Sequence, residues 1–241
     1  MQTTPGAAGV VLAAGMGTRV GADGNKAYLP LAGRSMVSWA VEAVARSTHV
    51  SRTVLVFRRG ERDLAARTMA AELPHSVVEL VEGGDTRHGS EENVLRHLAP
   101  DVESGAIDVV LIHDAARPLA GPAMMDTAVA MARACGGAIP VLAAIDVVKT
   151  DAGGRLSPAA GTLVRVQTPQ AFRARPLLTA YRLAAGGSFE GTDTASCVQS
   201  FTDVAVRVFP GTSSNLKVTF AHDVLLAERL LQDEISRGGT R

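Results

Sequence analysis

The chain has 241 residues, of which 46% are hydrophobic and 4% aromatic, and its 24 Lys and Arg balance 24 Asp and Glu. A chain of this length buries a sizeable core and fits one large α/β domain or two small ones. Zero formal net charge excludes the broadly basic surface of a protein that holds nucleic acid or an anionic membrane surface. Any phosphate chemistry must therefore use cations that are placed locally.

The cysteines and the N-terminus bear on the compartment. Cys135 and Cys197 are far apart, and neither has a Cys or His nearby at metal-ligand spacing. This pattern predicts neither a zinc site nor a disulfide framework and favours a reducing, cytoplasmic setting. The first residues lack the basic start of a signal peptide, and no stretch approaches the ~20 apolar residues of a membrane helix. We therefore expect neither a signal peptide nor a membrane span.

Short apolar runs alternate with longer amphipathic runs, which is typical of βαβ units in a parallel sheet. Strands are predicted at residues 8–14, 53–57, 76–81, 109–112, 138–143, 204–209 and 216–218. Helices are predicted at about residues 35–46, 61–71, 90–98, 122–134, 176–184, 193–199 and 222–235, with Ser35 as the first N-cap and Val37, Val41 and Val44 facing the sheet.

Residues 146–167 carry short β-like pieces around a DAGG sequence and no helix signal. We interpret this segment as a hairpin-like arm that projects from the sheet. The sequence therefore predicts one α/β domain over residues 1–241, a Rossmann-like, mostly parallel sheet flanked by helices with a β-arm.

Ligands of open parallel sheets bind beyond the carboxyl ends of the strands, which directs attention to four segments, residues 15–28, 83–90, 113–118 and 215–219. In the first, Gly15 and Gly17 allow close approach of backbone N–H groups to a phosphate, and Arg19 and Lys26 add charge. Val20 breaks the dinucleotide fingerprint, and no Walker sequence occurs. A triphosphate cradle of another kind remains, and the alternative is a surface turn with two solvated cations.

The second and third segments carry carboxylates. Gly84 and Asp85 could hold a base or ribose, with Ser90 supplying a hydroxyl, and the alternative is a plain turn. Asp114 ends a strand, where it is well placed to meet a divalent cation or a sugar hydroxyl. The alternative for Asp114 is an ion pair with Arg117 that shapes the turn.

Two further residues have simpler interpretations. His113 is expected to be a hydrogen-bonded structural histidine. Lys217 stands between Leu216 and Val218, which suggests an ammonium aimed inward. A strand-edge lysine that discourages aggregation is the alternative.

Seven short motifs follow one another along the chain. They are LAAGMGTR at 12–19, NKAYL at 25–29, GGDTR at 83–87, HDAARP at 113–118, QTPQAF at 167–172, TDTAS at 192–196 and NLKVT at 215–219. In this order and approximate spacing the chain resembles the 2-C-methyl-D-erythritol 4-phosphate cytidylyltransferases over about residues 8–232. Cytidylyltransferases of this kind also include ribitol 5-phosphate cytidylyltransferase.

The resemblance implies a nucleotidyltransferase-type fold and a reaction in which CTP and an alditol phosphate give a CDP-alditol and pyrophosphate. It further implies Mg²⁺ as cofactor, a place in the non-mevalonate route to isoprenoids, and a homodimer in which each arm reaches the partner's acceptor site. Neither nucleic acid nor a membrane is implied as a partner.

The resemblance also implies residue roles, and none is assigned to the metal. The cytidine portion would be held by Ala13, Ala14, Gly15, Gly84, Asp85, Ser90 and Ala115. Arg19, Lys26 and Lys217 would be catalytic, the first two on the triphosphate. Asp114, Arg117 and Thr192 would bind substrate, and Asp114, Thr192 and Lys217 would position the acceptor or the reacting phosphates.

Three departures from the family pattern concern the first lysine motif and the arm. Asn25 stands where the family usually has proline, and Val147 replaces a hydroxyl that would contact the acceptor. Ala160 stands where an arm arginine is expected, with Arg155 and Arg165 as candidate replacements. Three hypotheses result: transfer to methylerythritol phosphate, transfer to another alditol phosphate such as ribitol 5-phosphate, and a silent paralogue that binds nucleotide.

Overall fold

The computed structural model describes residues 5–15, 24–145, 147–158, 161–187, 189, 191 and 193–238. The described strands are β1 (Gly6–Leu12), β2 (Pro30–Leu31), β3 (Arg34–Ser35), β4 (Val50–Phe57), β5 (Val78–Glu82), β6 (Ile107–Asp114), β7 (Gly137–Ala143), β8 (Val148–Thr150), β9 (Leu156–Pro158), β10 (Val164–Val166), β11 (Gln170–Arg173) and β12 (Val206–Pro210). The described α-helices are α1 (Met36–Ala45), α2 (Arg62–Glu72), α3 (Arg87–Ser104), α4 (Gly121–Cys135), α5 (Ala174–Ala184), α6 (Thr194–Phe201) and α7 (Ala221–Gly238). A 3₁₀ turn covers Lys26–Tyr28.

The main sheet has the strand order β10-β7-β11-β6-β1-β4-β5, with β12 beside β7. Its central strands β6, β1, β4 and β5 are parallel, as are β7 and β12. The predicted α/β, mostly parallel sheet is therefore confirmed. Strand β11 was not predicted, and it lies antiparallel between β6 and β7.

Both faces of the sheet are covered, which explains why its strands are continuous apolar runs. Along β1, Ala7 and Val11 join a core beneath α1, α2 and α4, whereas Ala8 and Val10 join the core beneath α3, α5 and α6. Successive strand residues point to opposite faces, so one short run supplies both cores. The predicted sheet-facing valines of α1, Val37, Val41 and Val44, are fully buried in the first core.

Helix α3 and the last predicted strand differ from their predictions. Helix α3 begins at Arg87 and continues through Pro100 to Ser104, beyond the predicted span of residues 90–98. Val102 packs into the second core, and Gly105, in the left-handed conformation, caps the end of the helix. Residues 216–218 are a loop, so the predicted strand there is wrong. The Val218 N–H donates to the Ala116 carbonyl oxygen at 2.8 Å, which fixes this loop beside the end of β6.

The segment predicted as an arm divides into two parts. Strands β8 and β9 form a separate antiparallel hairpin, whereas β10 returns to the main sheet and pairs with β7. The Asp151 carboxylate accepts from the N–H groups of Gly153 and Arg155 and so closes the hairpin turn. Ala160 lies outside the described residues. Over the described part of the chain, no helix is long and apolar enough to cross a membrane.

Candidate active site

A cleft of about 360 Å³ opens at the carboxyl ends of β1, β5 and β6. This is the edge at which open α/β sheets bind ligands. Ten predicted site residues line the cleft: Ala13, Ala14, Gly15, Lys26, Gly84, Asp85, Ser90, Asp114, Ala115 and Lys217. Arg117 does not line the cleft, and Arg19 and Thr192 fall outside the described residues.

The first loop is held to the end of β1 by a buried asparagine. Asn25 Nδ2 donates to the Ala13 carbonyl oxygen at 2.6 Å and to Glu61 Oε2 at 2.8 Å. Its Oδ1 accepts from the Ala27 N–H at 3.0 Å and caps the 3₁₀ turn that carries Lys26. Hydrogen bonding thus supplies the restraint that a proline ring would otherwise give to this position.

Lys26 connects the first loop to the last one. Its Nζ donates to the Val218 carbonyl oxygen at 2.9 Å. Lys217, the residue before Val218, also lines the cleft. Two positively charged side chains from distant parts of the sequence therefore reach the same cavity. The arrangement can attract and hold a polyanion.

The second loop is shaped by glycines and by Ser90. A Cβ on Gly83 would lie 2.5 Å from the Ala14 Cβ, so only glycine allows this loop to approach the end of β1. The Ser90 hydroxyl donates to the Thr86 carbonyl oxygen at 2.9 Å and accepts from the Gly84 N–H at 3.1 Å. The hydroxyl expected to face a nucleotide therefore holds the loop itself. Asp85 lies exposed at the rim, 3.7 Å from Arg59.

Asp114 is the buried carboxylate of the site. Its Oδ2 accepts from Lys217 Nζ at 2.8 Å, its Oδ1 accepts from the Arg87 guanidinium, and its backbone N–H donates to Thr168 Oγ1 at 3.0 Å. Burial acts to raise the pKa of Asp114, but the nearby Arg87 and Lys217 outweigh it and hold that pKa far below its usual range. Asp114 is therefore ionised at neutral pH. The ammonium of Lys217 aims at this carboxylate, as its apolar neighbours suggested.

Sequence reasoning assigned no role to Arg87, which lines the cleft, or to Glu91, which does not. Glu91 is 1% exposed, and its Oε1 lies 3.3 Å from Arg87 Nη2. It accepts from the Thr194 hydroxyl at 2.6 Å and from the Tyr181 hydroxyl. Burial raises the pKa of Glu91, and the Arg87 guanidinium opposes that rise. The sequence signal for this ion pair was the i, i+4 spacing of Arg87 and Glu91. That spacing places the two side chains on one helix face only if both residues are helical.

The alternative for Asp114, an ion pair with Arg117, is wrong. Arg117 Nη1 donates to the Asn215 carbonyl oxygen at 2.7 Å and so anchors the loop that carries Lys217. His113 is fully buried, with its ring nitrogens at 2.9 Å from the Arg117 carbonyl oxygen and 3.1 Å from Thr168 Oγ1. Burial lowers the pKa of His113 to about 4, so the ring is neutral at pH 7. The expected structural role of His113 is confirmed.

Solved structures share this fold. The 4-diphosphocytidyl-2C-methyl-D-erythritol synthase from Anaerococcus prevotii superposes with a TM-score of 0.82 over 95% of this chain and 96% of that one, at 24% identity. The 2-C-methyl-D-erythritol 4-phosphate cytidylyltransferase from Thermus thermophilus is 29% identical, with a TM-score of 0.68 over 93% of this chain and 98% of that one.

Sequence comparison gives the class and the family. The protein named 2-C-methyl-D-erythritol 4-phosphate cytidylyltransferase in Cereibacter sphaeroides is 38% identical over 230 residues, which cover 93% of this chain and 96% of that protein. Its namesake in Solibacter usitatus is 34% identical over 95% of this chain and 96% of that protein. The chain is an enzyme of the nucleotidyltransferase class, a cytidylyltransferase. The sequence model described as 2-C-methyl-D-erythritol 4-phosphate cytidylyltransferase matches residues 7–233, and the chain belongs to that family.

Proposed function

We propose that this chain transfers CMP from CTP to 2-C-methyl-D-erythritol 4-phosphate, giving CDP-methylerythritol and pyrophosphate in the non-mevalonate route to isoprenoids. The observation that carries the proposal is the convergence of ten predicted site residues on one cleft in a chain of this family. A cytoplasmic location, expected from the two isolated cysteines, is part of the proposal.

The chemistry requires positive charge above all. A phosphate oxygen of the acceptor attacks the α-phosphorus of CTP, the bond from that phosphorus to the oxygen bridging to the β-phosphate breaks, and pyrophosphate leaves with the electron pair. The acceptor phosphate is already a nucleophile at neutral pH, so no general base is required. One unit charge pair at ~4 Å contributes about 4 kcal/mol at an effective dielectric of ~20. Lys26 and Lys217 therefore suit the role of stabilising the transition state.

The remaining roles divide between nucleotide and acceptor. Backbone groups of residues 13–15 and 84–85, with Ala115, are proposed to hold the cytidine portion, and Ser90 supports them by shaping its loop. Arg19 is proposed as a further triphosphate cation and Thr192 as an acceptor contact. Asp114 is proposed to position the reacting phosphates through Lys217, and Arg117 to hold the loop on which Lys217 lies.

Mg²⁺ is proposed as the cofactor, and the donor groups of the cleft bear on how it would be held. Both carboxylate oxygens of Asp114 already accept from cations, and Asp85 lies at the exposed rim. Across the described residues, no group of three or more His, Cys, Asp or Glu side chains could hold a metal. Mg²⁺ commonly binds through substrate phosphates with only one or two carboxylates, so these residues suit Mg²⁺ that arrives on CTP. Bound in this way, Mg²⁺ would neutralise phosphate charge.

A homodimer with exchanged arms is proposed from the β8–β9 hairpin. Ile145, which precedes the hairpin in the chain, is 92% exposed. Val148 and Leu156, on the two strands of the hairpin, are 57% and 68% exposed. Exposed apolar side chains on and beside this hairpin suit burial against a second copy. Arg155 in the hairpin and Arg165 in β10 are candidate acceptor cations. Sedimentation of the wild-type protein and of Leu156→Glu tests the dimer: we expect a dimer that the substitution dissociates, and a monomeric wild type would contradict it.

Another alditol phosphate is the alternative acceptor, and Val147 is the observation that favours it. Val147 is 45% exposed beside the hairpin and offers no hydroxyl. Pyrophosphate release with CTP, Mg²⁺ and either methylerythritol phosphate or ribitol 5-phosphate separates the two, with Lys26→Ala as the inactive control. We expect the higher kcat/KM with methylerythritol phosphate. Higher kcat/KM with ribitol 5-phosphate would favour the alternative, and CTP binding without turnover on any acceptor would indicate a silent paralogue.

A further inference from the structure

A continuous series of charged contacts leads from the helical layer into the cleft. Beneath the sheet, the Glu91 carboxylate accepts from the hydroxyls of Thr194 in α6 and Tyr181 in α5. Its Oε1 lies 3.3 Å from Arg87 Nη2, and Nη1 of the same guanidinium donates to Asp114 Oδ1. Glu91 itself does not line the cleft, whereas Arg87 and Asp114 do.

The last contact in the series reaches a residue assigned to catalysis. Asp114 Oδ2 accepts from Lys217 Nζ at 2.8 Å, so two carboxylates and two cations alternate from Glu91 to Lys217. Arg87 is a planar fork whose two Nη groups meet different carboxylates, and a guanidinium held in this way has a fixed orientation. The orientation of Asp114, and through it that of Lys217, therefore depends on the carboxylate of Glu91.

We propose that Glu91 is a positioning residue for the transfer reaction: it holds Arg87, and through Arg87 it fixes Asp114 and Lys217 at the cleft. This inference rests on the proposed function for its effect on turnover. Burial raises the pKa of Glu91, whereas two donor hydroxyls and one guanidinium converge on its two oxygens and favour the ionised carboxylate. The contact with Thr194 also ties the start of α6 to this series.

Glu91→Gln removes the charge and keeps the shape: the amide oxygen still accepts from one hydroxyl, and the amide NH₂ donates to the other. We expect kcat to fall about tenfold, because a small displacement of Lys217 from the reacting phosphates is costly. The KM values for CTP and acceptor should not rise, because the cluster gains one net positive charge and still attracts anions. A loss of folded structure would instead weaken substrate binding. The matched control is Glu92→Gln, one residue along α3, where Glu92 pairs with Arg96 on the outer face and no effect is expected.

Two further measurements make the test specific. In an Arg87→Lys background the fork is absent, so adding Glu91→Gln should lower kcat by no more than about twofold. The ammonium NMR resonance of Lys217, assigned with Lys217→Arg, should shift in Glu91→Gln and not in Glu92→Gln. Thr194→Val is a milder variant at the far end of the series, and we expect about a threefold fall in kcat with the same KM pattern.

The outcomes separate this proposal from the proposed function. A wild-type kcat in Glu91→Gln, a rise in KM without a fall in kcat, or a full additive loss in the Arg87→Lys background would overturn the positioning role. If wild-type enzyme releases no pyrophosphate with either acceptor, the proposed function fails. The Lys217 resonance then decides the positioning role alone: a shift in Glu91→Gln supports it, and an unchanged resonance overturns it.

Discussion

Asp114→Asn tests the charged centre of the cleft, because it removes one carboxylate that neutralises two cations. Asp114 is 6% exposed, and the side chains of its partners Arg87 and Lys217 are 28% and 44% exposed. The Lys217 pair is screened by solvent and contributes at most about 1 kcal/mol. Removing one partner of a buried ion pair, here Asp114 from its pair with Arg87, costs about 3–5 kcal/mol. Because Arg87 retains its contact with Glu91, we expect a loss at the lower end of this range. We expect a total loss of about 3 kcal/mol in the free energy of unfolding.

This loss should be visible in thermal unfolding. For a chain of this size, 1 kcal/mol shifts Tm by about 2–4 °C, so Asp114→Asn should lower Tm by about 6–12 °C at pH 7. Asp203→Asn, at an exposed position, provides the matched control and should leave Tm unchanged within about 1 °C.

The difference in free energy of unfolding between the wild type and Asp114→Asn should depend on pH with a defined sign. The pKa of Asp114 is lower in the folded protein than the ~3.9 of an unfolded aspartate. The stability that its charge contributes is therefore complete above about pH 5 and falls as pH drops through the folded-state pKa. Urea unfolding of the wild type and of Asp114→Asn should show the same difference in unfolding free energy from pH 7 to about pH 5. The difference should begin to narrow as the pH approaches 4. Equal stabilities at pH 7, or a difference that widens in acid, would refute the reasoning.

Three further substitutions test the loops of the cleft. Asn25→Ala should cost about 1–3 kcal/mol of folding stability, because the Ala13 carbonyl oxygen and the 3₁₀ turn lose their hydrogen-bond partner. Urea unfolding measures this loss, and an unchanged stability would mean that the Asn25 amide does not restrain the loop. Lys26→Ala should lower kcat by on the order of 10²–10³ in pyrophosphate-release assays, and a near-normal kcat would remove Lys26 from the catalytic residues. Asp85→Ala should raise the KM for CTP and leave kcat within about twofold; an unchanged KM would remove Asp85 from the nucleotide site.

Much of the fold could be predicted because β1, β4 and β6 are short apolar runs between amphipathic helices. Once the sheet is parallel, its carboxyl ends share one edge, and this brought residues 13–15, 84–85 and 114–115 together. Strand β11 was missed because its residues, Gln170–Arg173, have no alternation that distinguishes them from a loop. Its placement depends on pairing with both β6 and β7, a long-range interaction.

The supporting residues of the site were harder to predict for a similar reason. With the helix start predicted at Ser90, Arg87 lay in a loop and had no defined neighbour. The structure begins α3 at Arg87, which places Glu91 one turn further along the same face. Lys217 was expected in a strand and lies in a loop, where its direction is set by Asp114 and by the anchoring of that loop through Arg117. These contacts join residues about 100 positions apart, which local patterns do not report.

The most direct test of the proposed function follows phosphorus in the reaction itself. ³¹P NMR of purified protein with CTP, Mg²⁺ and methylerythritol phosphate should show loss of the triphosphate signals together with equal amounts of pyrophosphate and a new diphosphate diester. Lys26→Ala should slow both products equally. Unchanged CTP, or release of CMP and pyrophosphate that does not depend on the acceptor, would contradict transfer of CMP by this cleft.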